Sequence, residues 1–384
     1  MKRESTLHVL LIFFIATVAC AQRPADYDSV VVLQTRIDAR DLGYPPLDVI
    51  PDGESGITSL SVAPDGNLYG ATSGKRSHLF VLDPRHGYIQ PLGVIPDATA
   101  VAQALVVSAS GDVYIGTSPR GHLLRYIPHN EYGQEIQIDK SLAVSDLGQA
   151  LPDESIFALT IDRNAGIIYG LTSPNAHFFE YSIATGRFRD FGVVAEKAPP
   201  GEAFEKDKMM SRMLVVDMDG NVFASGENGS IYEFDSKAQT LEKLAIQAPA
   251  IPGREPWTRV DAFILGTSGA VYGGTSDGYL FRLDPKKRIV TNLGKPLNQY
   301  RIAGLVIGAG GKLYGVGGNE DEMAHLFRYD PSSGAYDMLG MVDVNRRPYY
   351  TWQAYVIGAL TSDAYGTVYI GENERVSKLY LFYP

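Results

Sequence analysis

Four histidines stand where chemistry could be done. His78, His122, His177 and His325 occupy one position of a recurring segment, each just before an apolar pair such as Leu326-Phe327. Imidazole suits both metal ligation and proton transfer. A residue that recurs at equivalent places in a repeat is, however, expected to serve the repeat's own hydrogen bonding, and successive copies lie far apart. Tyr279, Ser230 and Lys378 fill the same position elsewhere, which does not suit a shared ligand set. The chain contains no HExxH, no clustered carboxylate–histidine set and no CxxCH haem-attachment site. Asp217-Met218-Asp219-Gly220-Asn221 resembles a calcium loop but lacks the closing acid, and it reads as a hairpin turn.

Arginines form a second constellation. Arg212, Arg259 and Arg301 each lie just before an apolar run in three successive segments. If those runs line a common channel, the three guanidiniums crowd one side of its mouth. There they are candidates to bind an anion, since Arg reads carboxylate or phosphate bidentately. The competing expectation is pairing with Asp261, Asp207 or Glu255.

A third group suits a protein partner. Within residues 245–258, Pro249, Pro252 and Pro256 stiffen the chain, which lowers the entropy lost on docking. The same stretch carries Ile251, Arg254, Glu255 and Trp257, and Trp and Arg are favoured interface anchors. The competing expectation is that Trp257 folds back over its own segment. Arg346-Arg347-Pro348-Tyr349-Tyr350 adds a second basic, aromatic patch.

The elements that must position these residues follow from the repeat. Val260 to Pro285 reads as an apolar strand, a Ser268-Gly269 turn, a second strand through Tyr272, a small-residue link and a third strand ending at Asp284-Pro285. Seven versions recur, marked by Tyr69, Tyr114, Tyr169, Phe223, Tyr272, Tyr314 and Tyr369, at steps of roughly 42 to 55 residues. That period fits a four-stranded propeller blade. The expected fold is an all-β, seven-bladed propeller filling residues 22–384. The seventh segment stops after its third strand, and the strand-like run at 29–36 has no neighbour. The two are expected to pair, so that the N-terminal strand completes the last blade and closes the ring. Links between second and third strands, and between blades, emerge on one face. The long links at 195–211, 245–258 and 341–352 therefore share a face, whereas the one at 129–140 decorates the other.

The rest of the chain bounds the setting. A net charge of −10 over 384 residues argues against a general nucleic-acid binder. Residues 1–21 look like an export signal: Lys2 and Arg3 precede an apolar run at 9–18, too short for the ~20 residues of a membrane span. Two cleavage readings stay open, a cut before Gln22 or a lipobox-like Thr17-Val18-Ala19-Cys20 that would anchor the chain to a membrane by lipid at Cys20. Cys20 is the only cysteine, so no disulfide or thiolate metal site is expected in the body.

These segments, of the form LYG-T, HLFRYDP and LG, resemble those of exported bacterial propellers over nearly the whole mature chain. The export signal, the seven repeats, the lack of CxxCH and the long links on one face are similar to the haem-free propeller subunit of hydrazine synthase. That resemblance implies a non-catalytic scaffold in an exported complex, with no cofactor of its own and with haem on multihaem partner subunits. The alternative is a glycan-binding protein or a polysaccharide lyase acting on acidic polysaccharides, with His122, His177, Arg212 and Arg259 at the channel mouth.

Overall fold

The computed structural model describes residues 36–38, 50–129, 139–195, 209–319, 321–346, 350–374 and 377–384. Seven four-stranded antiparallel sheets follow one another along the chain, making a seven-bladed β-propeller. Blades one to six cover residues 56–94, 105–149, 155–193, 215–247, 260–294 and 302–341, each running in order from inner to outer strand. Blade seven takes its first three strands from Ile357–Ser362, Val368–Glu372 and Lys378–Phe382.

Its fourth strand comes from the other end of the chain. Arg36–Asp38 pairs antiparallel with the last strand, Arg36 facing Tyr380 and Asp38 facing Lys378. The ring is thus closed as expected, with the described latch beginning at the final residue of the run anticipated at 29–36. The other residues of that run, like the export signal, lie outside the described residues. Across the seam, Ile57 of blade one is buried with Tyr369 and Leu379 of blade seven.

The repeated residues now acquire physical roles. All seven marker aromatics are buried. Several reach the third strand of the next blade: Tyr69 meets Tyr126 at 6.5 Å, Tyr169 meets Phe234 at 5.6 Å, and Tyr314 meets Phe382 at 5.7 Å between ring centroids. The glycine after the marker serves its own blade. Gly70, Gly170, Gly273 and Gly315 lie directly opposite Phe80, Phe179, Phe281 and Phe327 on the third strand. Each phenyl ring occupies the space a Cβ on its glycine would need. Apolar layers therefore form between blades as well as within them, so one blade alone could not bury its faces.

A further regularity concerns the inner strands. In blades one, three, five, six and seven the pairing register slips near the start of the inner strand, skipping Thr58, Phe157, Asp261, Ala303 and Gly358. A β-bulge of this kind re-aims the extra residue. Here it marks five residues at the same end of the ring, several of which line the central channel mouth described below.

The latch has a direct test. Deleting residues 29–38 from the folded chain removes the outer strand of blade seven and leaves an open edge. A sharp fall in melting temperature is expected; an unchanged value would refute the latch.

Candidate functional site

The histidines resolve first. Each opens a third strand, at His78, His122, His177 and His325. In blades two and three the ring is tied to the outer strand: His122 Nδ1 lies 2.8 Å from Asp146, and His177 Nδ1 lies 3.1 Å from Asp190. The same aspartates accept the backbone N–H of Gly148 and Gly192, both at positive φ. The Asp-x-Gly that closes these segments is thus a turn lock with a histidine docked on it. Blade one has Pro91 in the aspartate's place, and His78 turns instead to buried Glu54 at 2.8 Å. Blade six has Met338 there, and His325 bonds the Met323 carbonyl and Gln299. Among the described residues, each of these four rings is engaged beside its own blade. Among the described residues no group of three metal-ligating side chains occurs.

The arginines do converge. Asp261, at the bulge of blade five, is wholly buried, and three guanidiniums surround it. Arg259 Nε lies 2.6 Å from Oδ1, Arg301 Nε 2.8 Å from Oδ2, and Arg212 Nε 3.6 Å from Oδ1. Burial alone would raise the Asp261 pKa, but attraction to Arg259, Arg301 and Arg212 outweighs it and holds the carboxyl far below the usual carboxylate range. Of the pairings expected from sequence, Asp261 is the one formed by all three. Asp207 lies outside the described residues, and Glu255 accepts a hydrogen bond from the Gly253 N–H instead.

Arg212 and Arg301 also line a recess of about 120 Å³ at the end of the ring where the bulges lie, together with Thr58, Gln103, Phe157 and Asn373. These residues come from inner-strand starts, inter-blade links and, for Asn373, a link between second and third strands, and they are drawn from most blades of the ring, so the recess is the mouth of the central channel. Gln103 Nε2 donates to the Gly358 carbonyl and ties blade two to blade seven. A larger cleft of about 360 Å³ opens on the opposite face among hairpin turns, lined by Pro64, Pro84, Tyr365 and Tyr383. Both carboxylates that line it are engaged, Asp363 by the Tyr369 hydroxyl and Asp65 by the Asn67 N–H and side-chain amide, so that cleft gathers less chemistry than the small one.

The proline-rich link sits beside the channel mouth. The outer strand of blade four extends through Gln247, so the link proper begins at Ala248 and ends in a 3₁₀ turn, Glu255–Trp257. Buried Asp277 organises it. Its carboxylate accepts the Ile251 N–H at 3.1 Å, Arg254 Nε at 3.2 Å and the Thr258 hydroxyl at 2.8 Å. Trp257 remains 39% exposed and does not fold away into its blade. Nearby, Tyr300 is 45% exposed, with the Arg254 guanidinium 5.9 Å and the Lys295 ammonium 5.0 Å from its ring centre. Pro249 and Ile251 are half-buried, whereas Pro252, Arg254 and Glu255 are exposed.

One turn joins the two clusters. Ser276 N–H donates to the Arg259 carbonyl at 2.9 Å, its hydroxyl accepts the Arg259 N–H at 3.2 Å, and its carbonyl accepts the Arg301 N–H at 3.0 Å. Ser276 therefore holds two of the arginines, while adjacent Asp277 holds the link. Neither residue stands out in the repeat pattern, nor do Tyr300 and Lys295, because this turn resembles the other small-residue links. A signal was present: the sister links read Thr117-Ser118-Pro119 and Thr172-Ser173-Pro174, whereas blade five places Asp277 after its Thr-Ser.

The second expected patch is placed only in part. Asp343–Arg346 and Tyr350–Gln353 form a hairpin in which Arg346 faces Tyr350, so the link at 341–352 is not a plain loop. Arg347 and Tyr349 lie outside the described residues, as do 196–208 and 130–138 in the other long links.

No protein family and no curated protein matches the chain in sequence. Solved structures share the fold. A streptogramin B lyase aligns over 86% of this chain and 94% of its own, with 15% identity and a TM-score of 0.62. A catalytically inactive virginiamycin B lyase from Staphylococcus aureus, solved with quinupristin, aligns over 87% of this chain and 97% of its own, at 12% identity and a TM-score of 0.62. A chain of the mitotic checkpoint complex covers 95% of each, at 12% identity and a TM-score of 0.61. Such different proteins on one scaffold show the fold and leave function to the site.

Replacing Asp261 by Asn removes the counter-charge from three crowded guanidiniums. A loss of about 3–5 kcal/mol is expected on urea unfolding. The pH dependence has a definite sign. Asp261 titrates lower in the folded chain than its ordinary 3.8, so its contribution is complete above that pH and is lost as pH falls. His78 is pushed below its ordinary 6.5 by burial, against the pull of Glu54, so the folded chain disfavours its protonation. Stability should therefore begin to fall below about pH 6.5. It should fall again below about pH 4, and Asp261→Asn should reduce that second loss without abolishing it, because Glu54, Asp83 and Asp146 are also held low. Stability that stays flat from pH 7 to 3 would contradict both assignments.

Proposed function

We propose that this chain is a partner-binding propeller whose working surface is the channel-mouth face at blades four to six. The observation that supports this reading is the Asp277-pinned link, which leaves Trp257 exposed and sets Arg254 beside exposed Tyr300 and Lys295. Exposed aromatic and arginine side chains on a backbone already fixed by a buried carboxylate are what a low-entropy interface requires. The partner suited to it offers an apolar pocket for the Trp257 indole, rimmed by carboxylates for Arg254 and Lys295. The chain carries a net charge of −10, so this local basic spot sets register more than it drives long-range attraction.

Within this reading the specific proposal is a subunit of an exported complex, with a multihaem protein as the partner and the haem on that partner. Its support is a set of general features similar to those of the propeller subunit of hydrazine synthase: an export-like N-terminus, seven repeats, no CxxCH and long links on one face.

The test uses tagged full-length chain purified from its source cell, with Trp257→Ala and Tyr300→Ala as separate variants. Each is expected to weaken the recovered complex by roughly 10- to 30-fold, corresponding to an anchor worth ~1.4–2 kcal/mol. Melting temperatures should stay within a few degrees of the parent, because both side chains are substantially exposed. Unchanged complex formation in both variants would rule out this surface. Absorbance of the recovered partner in the Soret region checks the haem assignment separately.

A further inference from the structure

We propose that the mouth of the central channel binds a small oxyanion, a carboxylate or phosphate head group, gripped by Arg301 and Arg212. The site is separate from the protein-docking patch and does not depend on it.

The donor arrangement points to an anion. A guanidinium has five N–H donors in a planar fork. Arg301 directs Nε to Asp261 at 2.8 Å, and among the described residues Asp261 is its one acidic partner. The two terminal nitrogens, the pair that grips an oxyanion bidentately, are not used by that contact. Arg212 shares the same carboxylate and lines the same recess. Asp261 is wholly buried, so it fixes the arginines from behind and is not itself presented to solvent.

The backbone is organised around the same point. Arg301 and Gln103 each precede an inner strand, of blades six and two, and both are non-glycine residues at positive φ, +62° and +37°. Left-handed backbone is unfavourable for such residues and persists where the surroundings over-determine it. Here Arg301 N–H bonds Ser276 and its carbonyl accepts Gly318 N–H at 3.2 Å, while Gln103 bonds Thr58 and Leu159. Both strained residues line the recess, and the bulges present Thr58 and Phe157 to it.

Size sets the ligand class. The recess holds about 120 Å³, and a water's share of liquid volume is about 30 Å³, so one anionic head fits and the remainder of a larger ligand stays outside. The anion can come as a free small acid or as an acidic side chain of a partner, and the test separates them.

Isothermal titration calorimetry on the isolated full chain would use three probes: succinate, inorganic phosphate and N-acetyl-aspartate amide. Sodium chloride at matched ionic strength is the control. Saturable one-to-one binding of at least one probe is expected. Arg301→Gln should weaken it about tenfold or more. Arg301→Lys, which keeps the charge but loses the fork, should fall between. Trp257→Ala should leave it unchanged, so failure here and failure of the docking surface are distinguishable. Binding of succinate or phosphate assigns the site to a free ligand; binding of the aspartate amide alone assigns it to a partner side chain. If Arg301→Gln does not fold, Arg212→Gln carries the comparison. No saturable binding of any probe, or an affinity unchanged in the folded arginine variant, overturns the site.

Discussion

A phenyl ring seated on a glycine is the contact from which this architecture is built. In four blades the second strand offers a residue without a Cβ directly opposite a buried phenylalanine of the third strand. The neighbouring marker aromatic is free to reach across to the next blade. Packing within a blade and between blades is thereby settled by two adjacent residues. The N-terminal strand supplies the outer edge that completes the last blade and closes the ring.

That rigid ring makes the channel mouth possible. Ionised Asp261 in a wholly buried position would be costly alone. It is held there by three arginines delivered from three different inter-blade links. The turn Ser276-Asp277 joins this charge cluster to the proline-rich link, Ser276 through backbone and hydroxyl bonds to two of the arginines and Asp277 through three bonds to the link.

Much of this was legible in the residue pattern, and the misses have physical reasons. Strand period, blade count and the unpaired end strand are local or one-dimensional properties, so Tyr69, Tyr272 and their sisters reveal them. The histidine register pointed correctly to bonding beside each blade, but not to its partners. Those depend on whether the outer strand carries Asp146, Asp190, Pro91 or Met338 at the facing position. Asp277 was passed over because the repeat made its turn look ordinary, and only a comparison with its sister turns distinguishes it.

The sequence by itself determined the ring, since hydrogen-bonded blades with short turns and apolar faces admit few other arrangements. It also determined that Arg212, Arg259 and Arg301 would fall on the same side of the channel, since they hold equivalent places in consecutive repeats. The tertiary structure alone decided that all three meet at Asp261, and that Arg301 faces the recess from a left-handed backbone. Both follow from a one-residue slip in strand register and from bonds between blades. Neither leaves a trace in periodicity, because a bulge changes which way one side chain points without changing the composition around it.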